Sequence, residues 1–295
     1  MSLYKFIDIG ANLTDLMYQG IYNGSKKHQP DLTNVLKRGW DNGLDKIIIT
    51  GTYLEDCKEA LELAKTDERL YLTIGCHPTR SNEFEKSGDP DKYLQDLSDL
   101  INEARPKVVA LGECGLDYDR LNFSGKELQL KYFEKQLELC KNVKLPLFLH
   151  CRNAFDDVHS LLNKHKPLFG GVVHSFDGTA EQADAFIKQG FHIGVNGCSL
   201  KTEDNLKAVR EIPSDRLMIE TDSPWCDVRP THAGFKYVQT QFNSTKKEKW
   251  KSDCMVKSRN EPANIVQILE IVSGVKGENK EKLCDQIYKN TLNMF

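Results

Sequence analysis

Four short apolar runs in this sequence each lead to a residue that can bind a metal ion. The run Val108–Leu111 leads to Glu113, and three later runs lead to His150, His174 and Asp222. Short apolar runs that stop at turn-rich sequence are typical of buried parallel strands. Because barrel enzymes keep their chemistry at the carboxyl ends of such strands, we expect the four side chains to share one rim.

Two carboxylates and two imidazoles suit a divalent transition metal better than Ca²⁺, which prefers oxygen ligands alone. A hydrogen-bonded residue at a strand end is the alternative interpretation for any single member of the set. Four of them on four strand ends favour a metal centre. The sequence therefore predicts a divalent ion at this rim, Zn²⁺, Mn²⁺ or another such as Mg²⁺.

Two further residues follow predicted strands and could serve the same chemistry. His77 could contact a phosphate or move a proton, because imidazole titrates near neutral pH, or it could be an ordinary loop histidine. Arg152 lies two residues after His150 and therefore on the same side of the strand, where a guanidinium suits phosphate binding. The alternative for Arg152 is a salt bridge within its own loop.

Strand and helix patterns alternate eight times before Glu220, which is the pattern of a (β/α)₈ TIM barrel, normally about 250 residues long. The fourth strand is expected to stop at Leu111, and Asp31 to cap the first helix. Two extra C-terminal helices, 261–273 and 278–292, complete one predicted domain over residues 1–295.

Composition limits the possible partners and compartments. Forty basic and 43 acidic residues leave a net charge of −3, so no overall positive field attracts nucleic acid. No apolar stretch approaches the roughly 18 residues of a membrane span, and the N-terminal residues carry no secretory signal. Nine cysteines without a C-x-x-C pair suit a reducing compartment, so we expect an intracellular protein of the cytoplasm or nucleus, and no membrane partner.

Two groups of residues near the predicted site have ordinary interpretations. Cys76, Cys114 and Cys151 each adjoin a site residue, and strand alternation predicts that their thiols point away into the core. The lysine-rich run 244–251, with Trp250, could grip a phosphate backbone and stack a base. Such a run in a loop is more often only solvated.

Three segments resemble the signature motifs of the TatD family of metal-dependent deoxyribonucleases, and of its eukaryotic members in particular: 146–156, 217–224 and 112–117. The resemblance implies a TIM barrel, one or two metal ions and nuclease action on DNA from the 3′ end. On matching positions it implies that Glu113 bridges the metals and is catalytic. His150 and His174 would complete one metal site, and Asp222 would belong to the other, where it would lie close to the attacking water and act as general base.

The first strand departs from many members of that family. They carry His-x-His there, whereas this chain has Gly10 and Asn12, a version that a subset of the family shares. Glycine has no ligand and asparagine offers only a neutral carbonyl, which weakens the case for a second metal. We expect Asn12 to support substrate binding and Asp8 to act as a supporting residue that could also only hydrogen-bond to the barrel.

The sequence thus favours a monomeric 3′–5′ exonuclease that uses divalent metal to hydrolyse DNA phosphodiester bonds. Single-stranded DNA or strand ends are the expected partner, with RNA as a further substrate, because a protein without a basic surface suits a short grip. Two alternatives remain. One is a metallohydrolase for small esters or amides, and the other is a catalytically weakened barrel that acts as a binding scaffold.

Overall fold

Eight parallel strands form one sheet in the computed structural model, which describes residues 4–166 and 168–295. Each strand pairs with the next along the chain, which confirms the predicted (β/α)₈ barrel. The expectation about a secretory signal concerns residues 1–3 in part, and those lie outside the described residues. The strands are β1 (Phe6–Ala11), β2 (Leu44–Ile49), β3 (Leu70–Ile74), β4 (Val108–Asp117), β5 (Leu147–Arg152), β6 (Gly171–Val173), β7 (Phe191–Val195) and β8 (Leu217–Ile219).

The described part of the chain contains ten α-helices, and the last two are the expected C-terminal additions. Among the described residues, no helix is both long enough and apolar enough to cross a membrane. Two short ladders lie outside the barrel, Ile21–Tyr22 with Ser25–Lys26 and Ser244–Thr245 with Met255–Val256. The helices are α1 (Leu32–Asp41), α2 (Leu54–Ala64), α3 (Asn82–Lys86), α4 (Pro90–Glu103), α5 (Lys126–Val143), α6 (Phe155–Lys164), α7 (Ala180–Lys188), α8 (Glu203–Glu211), α9 (Ile265–Lys276) and α10 (Lys280–Met294).

The apolar core has two layers. The larger layer lies between the strands and the surrounding helices and includes the thiols of Cys76 and Cys114, with Cys151 packed against it. The smaller layer fills the inside of the barrel, as inward-facing strand residues do in this fold. It consists of Ile7, Ile9, Ile48, Ala110, Phe148, Val172 and Met218.

The fourth strand continues past Leu111, where the sequence predicted its end. Its ladder with β5 reaches Asp117, after a register shift between Gly112 and Cys114. Glycine makes this continuation possible, because a Cβ at Gly115 would lie 1.9 Å from a backbone oxygen of β5. The consequence is that both Glu113 and Asp117 reach the rim from one strand.

Asp31 precedes α1 as predicted, but its side chain does not cap the helix. The carboxylate instead accepts hydrogen bonds from Arg259 at 2.7 and 2.8 Å and from Trp250 Nε1 at 2.9 Å. Asp31 and Arg259 are both buried, so the charge-assisted pairing outweighs a neutral cap. This interaction fixes the long segment after β8 against the start of α1.

The barrel closes where β1 meets β8, and the closure uses few backbone bonds. Asp222 N donates to Gly10 O at 2.8 Å, and Asn12 N donates to Ser223 O at 2.7 Å. The buried carboxyl of Asp8 adds to the closure, since Thr221 N donates to its Oδ1 at 2.9 Å. Thr221 Oγ1 lies 2.5 Å from Asp8 Oδ2. Asp8 therefore holds the closure beside the predicted site.

Burial raises the pKa of Asp8 to about 8, so the native carboxyl is neutral at lower pH. We predict that Asp8→Asn keeps the closure, because an amide can reproduce both bonds of a neutral acid to Thr221. Asp8→Ala leaves two buried groups without partners and should cost about 1–3 kcal/mol of unfolding free energy. Urea denaturation of both variants checks this.

The titration of Asp8 also makes the stability of the protein depend on pH. A native pKa above the unfolded value means that wild type loses stability relative to Asp8→Asn as pH rises from about 4 toward 8. A constant stability difference across that range would contradict a neutral Asp8.

Candidate metal centre and active site

One carboxylate oxygen lies at the centre of the rim. Glu113 Oε1 is 2.7 Å from His150 Nδ1 and 2.6 Å from His174 Nε2. His77 Nε2 lies 3.3 Å from the same oxygen. The structure thus brings together three residues of the predicted ligand set, and it places His77 with them. His77, Glu113 and His174 are buried and the His150 side chain is 12% exposed, all toward the carboxyl ends of β3 to β6.

Two further carboxylates, which the sequence analysis did not single out, lie behind the imidazoles. Asp117 Oδ2 is 3.2 Å from His150 Nε2, and Glu220 Oε1 is 3.4 Å from His174 Nδ1. Both are an even number of residues from a predicted site residue, which places them on the same side of an extended chain. Asp117 is four residues after Glu113, and Glu220 is two residues before Asp222. That periodicity was the available signal.

A carboxylate faces each nitrogen of both rings, with Asp117 and Glu220 on the outer side and Glu113 on the inner side. When the outer nitrogens carry the ring protons, His150 Nδ1 and His174 Nε2 are free to bind a metal ion beside Glu113. Those two nitrogens are 3.4 Å apart. Two imidazole nitrogens and a carboxylate oxygen this close need positive charge between them, from ring protons or from a bound cation, and their chemistry fits a divalent metal.

His77 has the opposite arrangement. Thr79 N donates to His77 Nδ1 at 3.1 Å, so in the neutral ring the proton is on Nε2, which faces Glu113. Burial lowers the pKa of His77, which keeps the ring neutral near pH 7. His77, Glu113 and His150 each have one atom that could bind a metal ion, and these three atoms lie within 4.8 Å of one another. The hydrogen bond from Thr79 nevertheless favours His77 as a proton donor to bound substrate.

The charges of the cluster shift its pKa values strongly. Burial alone raises the pKa of Glu113, but the charges of His174 and His77 and hydrogen bonds from His150 and His174 hold it well below its usual range. Burial lowers the pKa of His174, yet Glu113 and Glu220 raise it well above its usual value. The pocket therefore stabilises positive charge, as a metal site does.

Asp222 follows β8 and lies close enough to the cluster for the charges of His174 and Glu113 to act on it. Its Oδ1 accepts a hydrogen bond from Asn12 Nδ2 at 2.9 Å, and the thiol of Cys226 lies 3.1 Å from its Oδ2. Burial raises the pKa of Asp222 to about 6, and the charges of Glu220 and Glu113 add to this effect. A carboxylate with this pKa suits a general base near neutral pH.

Glu220 accounts for the glycine on the first strand. A Cβ at Gly10 would lie 2.7 Å from Glu220 Oε2 and 3.0 Å from the ring of Phe148. Glu220 Oε1 accepts hydrogen bonds from Ser175 N at 2.6 Å and Asn196 Nδ2 at 3.1 Å, whereas the buried Oε2 has no hydrogen-bond partner. The carboxylate takes the space that a first-strand ligand would need.

Arg152 forms a salt bridge with Asp177. The partner belongs to the loop after β6, not to the loop of Arg152 itself, and both side chains remain partly exposed. Burial lowers the pKa of Arg152, but Asp177 and nearby thiols raise it above its usual value. The guanidinium stays charged beside His150 and keeps further N–H groups for a phosphate.

Trp250 of the lysine-rich run stacks on His28, with ring centroids 5.7 Å apart, and its Nε1 donates to Asp31. The indole is therefore held against His28 and Asp31 and is only partly exposed. A different aromatic residue is open beside the site, since Trp225 is 49% exposed and follows Asp222 by three residues.

Comparison with known proteins gives the same assignment as the geometry. A sequence model described as "TatD related DNase" matches residues 7–295. The chain belongs to the TatD family. A relative named "Deoxyribonuclease Tat-D" from Schizosaccharomyces pombe is 44% identical over 99% of this chain and 96% of its own.

Two further TatD-family proteins also match this chain over nearly its whole length. The "3'-5' ssDNA/RNA exonuclease TatD" of Erwinia billingiae is 34% identical and covers 98% of each chain. The crystal structure of a "hydrolase TatD family protein" from Entamoeba histolytica has a TM-score of 0.94 and 41% identity, and covers 100% of this chain and 99% of its own. The resemblance inferred from the three motifs is confirmed across the chain.

We predict that Glu220→Gln weakens Mn²⁺ binding about 10–100-fold, because removal of the charge behind His174 loosens the ligand's tautomer and orientation. Isothermal titration with Mn²⁺ measures the affinity. Glu270→Gln is the matched control, since Glu270 is equally buried but accepts hydrogen bonds from Gln239 and Thr240 away from the rim. Equal affinities in the two variants would remove Glu220 from the metal centre.

Proposed function

We propose that this TatD-family protein is a metal-dependent deoxyribonuclease that removes nucleotides from the 3′ end of single-stranded DNA. The observation that carries the proposal is the cluster of His150, His174 and Glu113, whose inward-facing nitrogen and oxygen atoms are ligands that suit a divalent metal. The curated relatives named deoxyribonuclease and 3′–5′ exonuclease support the choice of substrate, and the second of them extends it to RNA.

Glu113, His150 and His174 would hold one divalent ion, and Asp222, with Glu113 as bridging ligand, a second one. The mixed nitrogen and oxygen set suits Mn²⁺ or Zn²⁺, with Mg²⁺ as a further candidate. A bound divalent ion lowers the pKa of coordinated water and neutralises the charge that develops on the phosphate during in-line displacement.

The side chains around this centre have separate roles in proton transfer and phosphate binding. Asp222, oriented by Asn12, takes the proton of the attacking water as general base. His77 donates from Nε2 to a phosphate or leaving-group oxygen, since its Nδ1 is occupied by Thr79. Arg152 binds a phosphate oxygen without ligating metal, because a guanidinium is always charged.

Exposed apolar side chains around the rim favour an unpaired strand as substrate. Leu16 follows β1, Leu121 and Phe123 follow β4, and Trp225 follows β8. They sit at the same end of the barrel as the candidate metal centre. Nucleobases that are free of a duplex can stack on such surfaces, which compensates for the absence of net positive charge.

The molecular context is part of the proposal. One domain over residues 1–295, acting as a monomer, would carry the whole activity. All nine cysteines are free thiols in the structure, which supports a reducing compartment, the cytoplasm or the nucleus.

The experiment uses end-labelled single-stranded DNA and the purified protein. We predict shortening from the 3′ end with Mn²⁺, and complete loss of activity in excess chelator, because no other group in the proposed site supplies an activated nucleophile. Cleavage of chromogenic esters without any DNA cleavage would support the small-molecule alternative. Mn²⁺ binding without either activity would support the scaffold.

Asp222→Asn separates the base from the ligands in the same assay. This variant should keep the Mn²⁺ held by Glu113, His150 and His174 yet lose at least about 10²-fold in rate. A rate close to wild type would contradict the base role of Asp222.

Trp225→Ala tests the stacking surface. Because base stacking on an aromatic residue contributes about 1–3 kcal/mol, kcat/KM on single-stranded DNA should fall roughly 5–150-fold. Hydrolysis of a small chromogenic phosphodiester should not change. Phe169→Ala is the control, since Phe169 is 47% exposed but precedes β6 at the other end of the barrel. Equal losses on both substrates would mean that Trp225 does not contact bases.

A further inference from the structure

Two cysteines meet beside Asp222, and the mechanism above uses neither of them. Cys198 follows β7 and Cys226 follows β8, and their sulfur atoms are 3.0 Å apart. Both side chains are partly exposed, in contrast to the buried thiols of the core. A disulfide bond is about 2.05 Å long, so the two sulfurs need to approach by only about 1 Å.

The backbone holds the two loops at this separation. Cys198 N donates to the side chain of Asn196 at 2.9 Å, which fixes the first loop to the end of β7. A Cβ at Gly197 would lie 2.0 Å from Cys226 O, so the loops touch at their main chains. Asn260 Nδ2 donates to Trp225 O at 2.8 Å and fixes the second loop. The thiols therefore remain adjacent without a large movement.

We propose that Cys198 and Cys226 are a redox modification site, at which a hydroperoxide forms a reversible disulfide that controls Asp222. One thiol attacks the peroxide oxygen, forms a sulfenic acid and releases an alcohol or water. The second thiol attacks the sulfenic sulfur, forms the S–S bond and releases water. Two thiols are oxidised, one peroxide is reduced, and both S–H protons leave in the products.

The disulfide changes the surroundings of Asp222. In the reduced protein, the Cys226 thiol donates to Asp222 Oδ2 at 3.1 Å, while Asn12 holds the other oxygen. Oxidation removes this hydrogen and draws the sulfur toward Cys198. The carboxylate loses one of its two orienting donors, so the affinity for the second Mn²⁺, which Asp222 would hold, and the nuclease rate should fall about 10–100-fold. This functional effect rests on the proposed function, whereas formation of the disulfide does not.

The experiment treats the full chain with one equivalent of hydrogen peroxide and compares it with protein kept in dithiothreitol. Mass spectrometry of an unreduced digest should find the Cys198 and Cys226 peptides linked, and the thiol count should fall by two. Mn²⁺ affinity and cleavage of end-labelled DNA should fall together. Dithiothreitol should restore both.

Cys198→Ser is the diagnostic variant, because it removes the partner sulfur and keeps the contact between Cys226 and Asp222. It should show normal activity, form no linked peptide and resist peroxide. Cys254→Ser is the matched control, since Cys254 is a partly exposed cysteine outside this pair, and it should respond to peroxide as wild type does. A thermal melt verifies that both variants are folded.

Two results would overturn the proposal. Peroxide treatment that leaves Cys198 and Cys226 unlinked would refute the modification site. A linked peptide with unchanged Mn²⁺ affinity and cleavage would refute the control of Asp222. If the reduced protein binds no Mn²⁺ and cuts no DNA while the link still forms, the proposed function fails and the disulfide stands.

Discussion

The rim depends on one electrostatic constraint, which is that Glu113 stays ionised while buried among imidazoles. A buried carboxylate is costly unless positive charge compensates it. Here His150 and His174 approach the same oxygen within 2.7 Å, and Asp117 and Glu220 back those rings in turn. If Asp117 and Glu220, the two imidazoles or Glu113 were removed, the neighbouring charged groups would lose the opposite charge that compensates them. The alternation of acid and imidazole therefore makes the pocket favour a cation.

Much of this was readable from the sequence because periodicity reports strand faces directly. Apolar runs ending in Glu113, His150 and His174 predicted both the strands and the convergence, and the motifs indicated the family. The continuation of β4 was not readable, since Gly112 and Gly115 signal a loop and a tolerated close approach equally well. Asp117 was missed for the same reason: residues after a presumed strand end are not expected to alternate.

Other errors have a different physical origin, which is competition between distant partners. Asp31 has the local sequence of a helix cap, but a buried Arg259 more than two hundred residues later binds its carboxylate more strongly. Trp250, the aromatic residue of the lysine-rich run, is held by the same carboxylate and by His28 and is only partly exposed. Exposure, and not residue type, separates Trp250 from Trp225. No local pattern contains that information.

The contact between Gly10 and Glu220 has a consequence for how this barrel can change. Since a Cβ at position 10 would collide with a carboxylate that also supports His174, the two positions are epistatic. A histidine introduced at Gly10 alone would displace Glu220 before it could contribute a ligand. Conversion to the His-x-His arrangement therefore requires a compensating change at Glu220 as well as the new histidine. A protein engineer would have to change positions 10 and 220 together, and sequence drift through single substitutions would meet the same barrier.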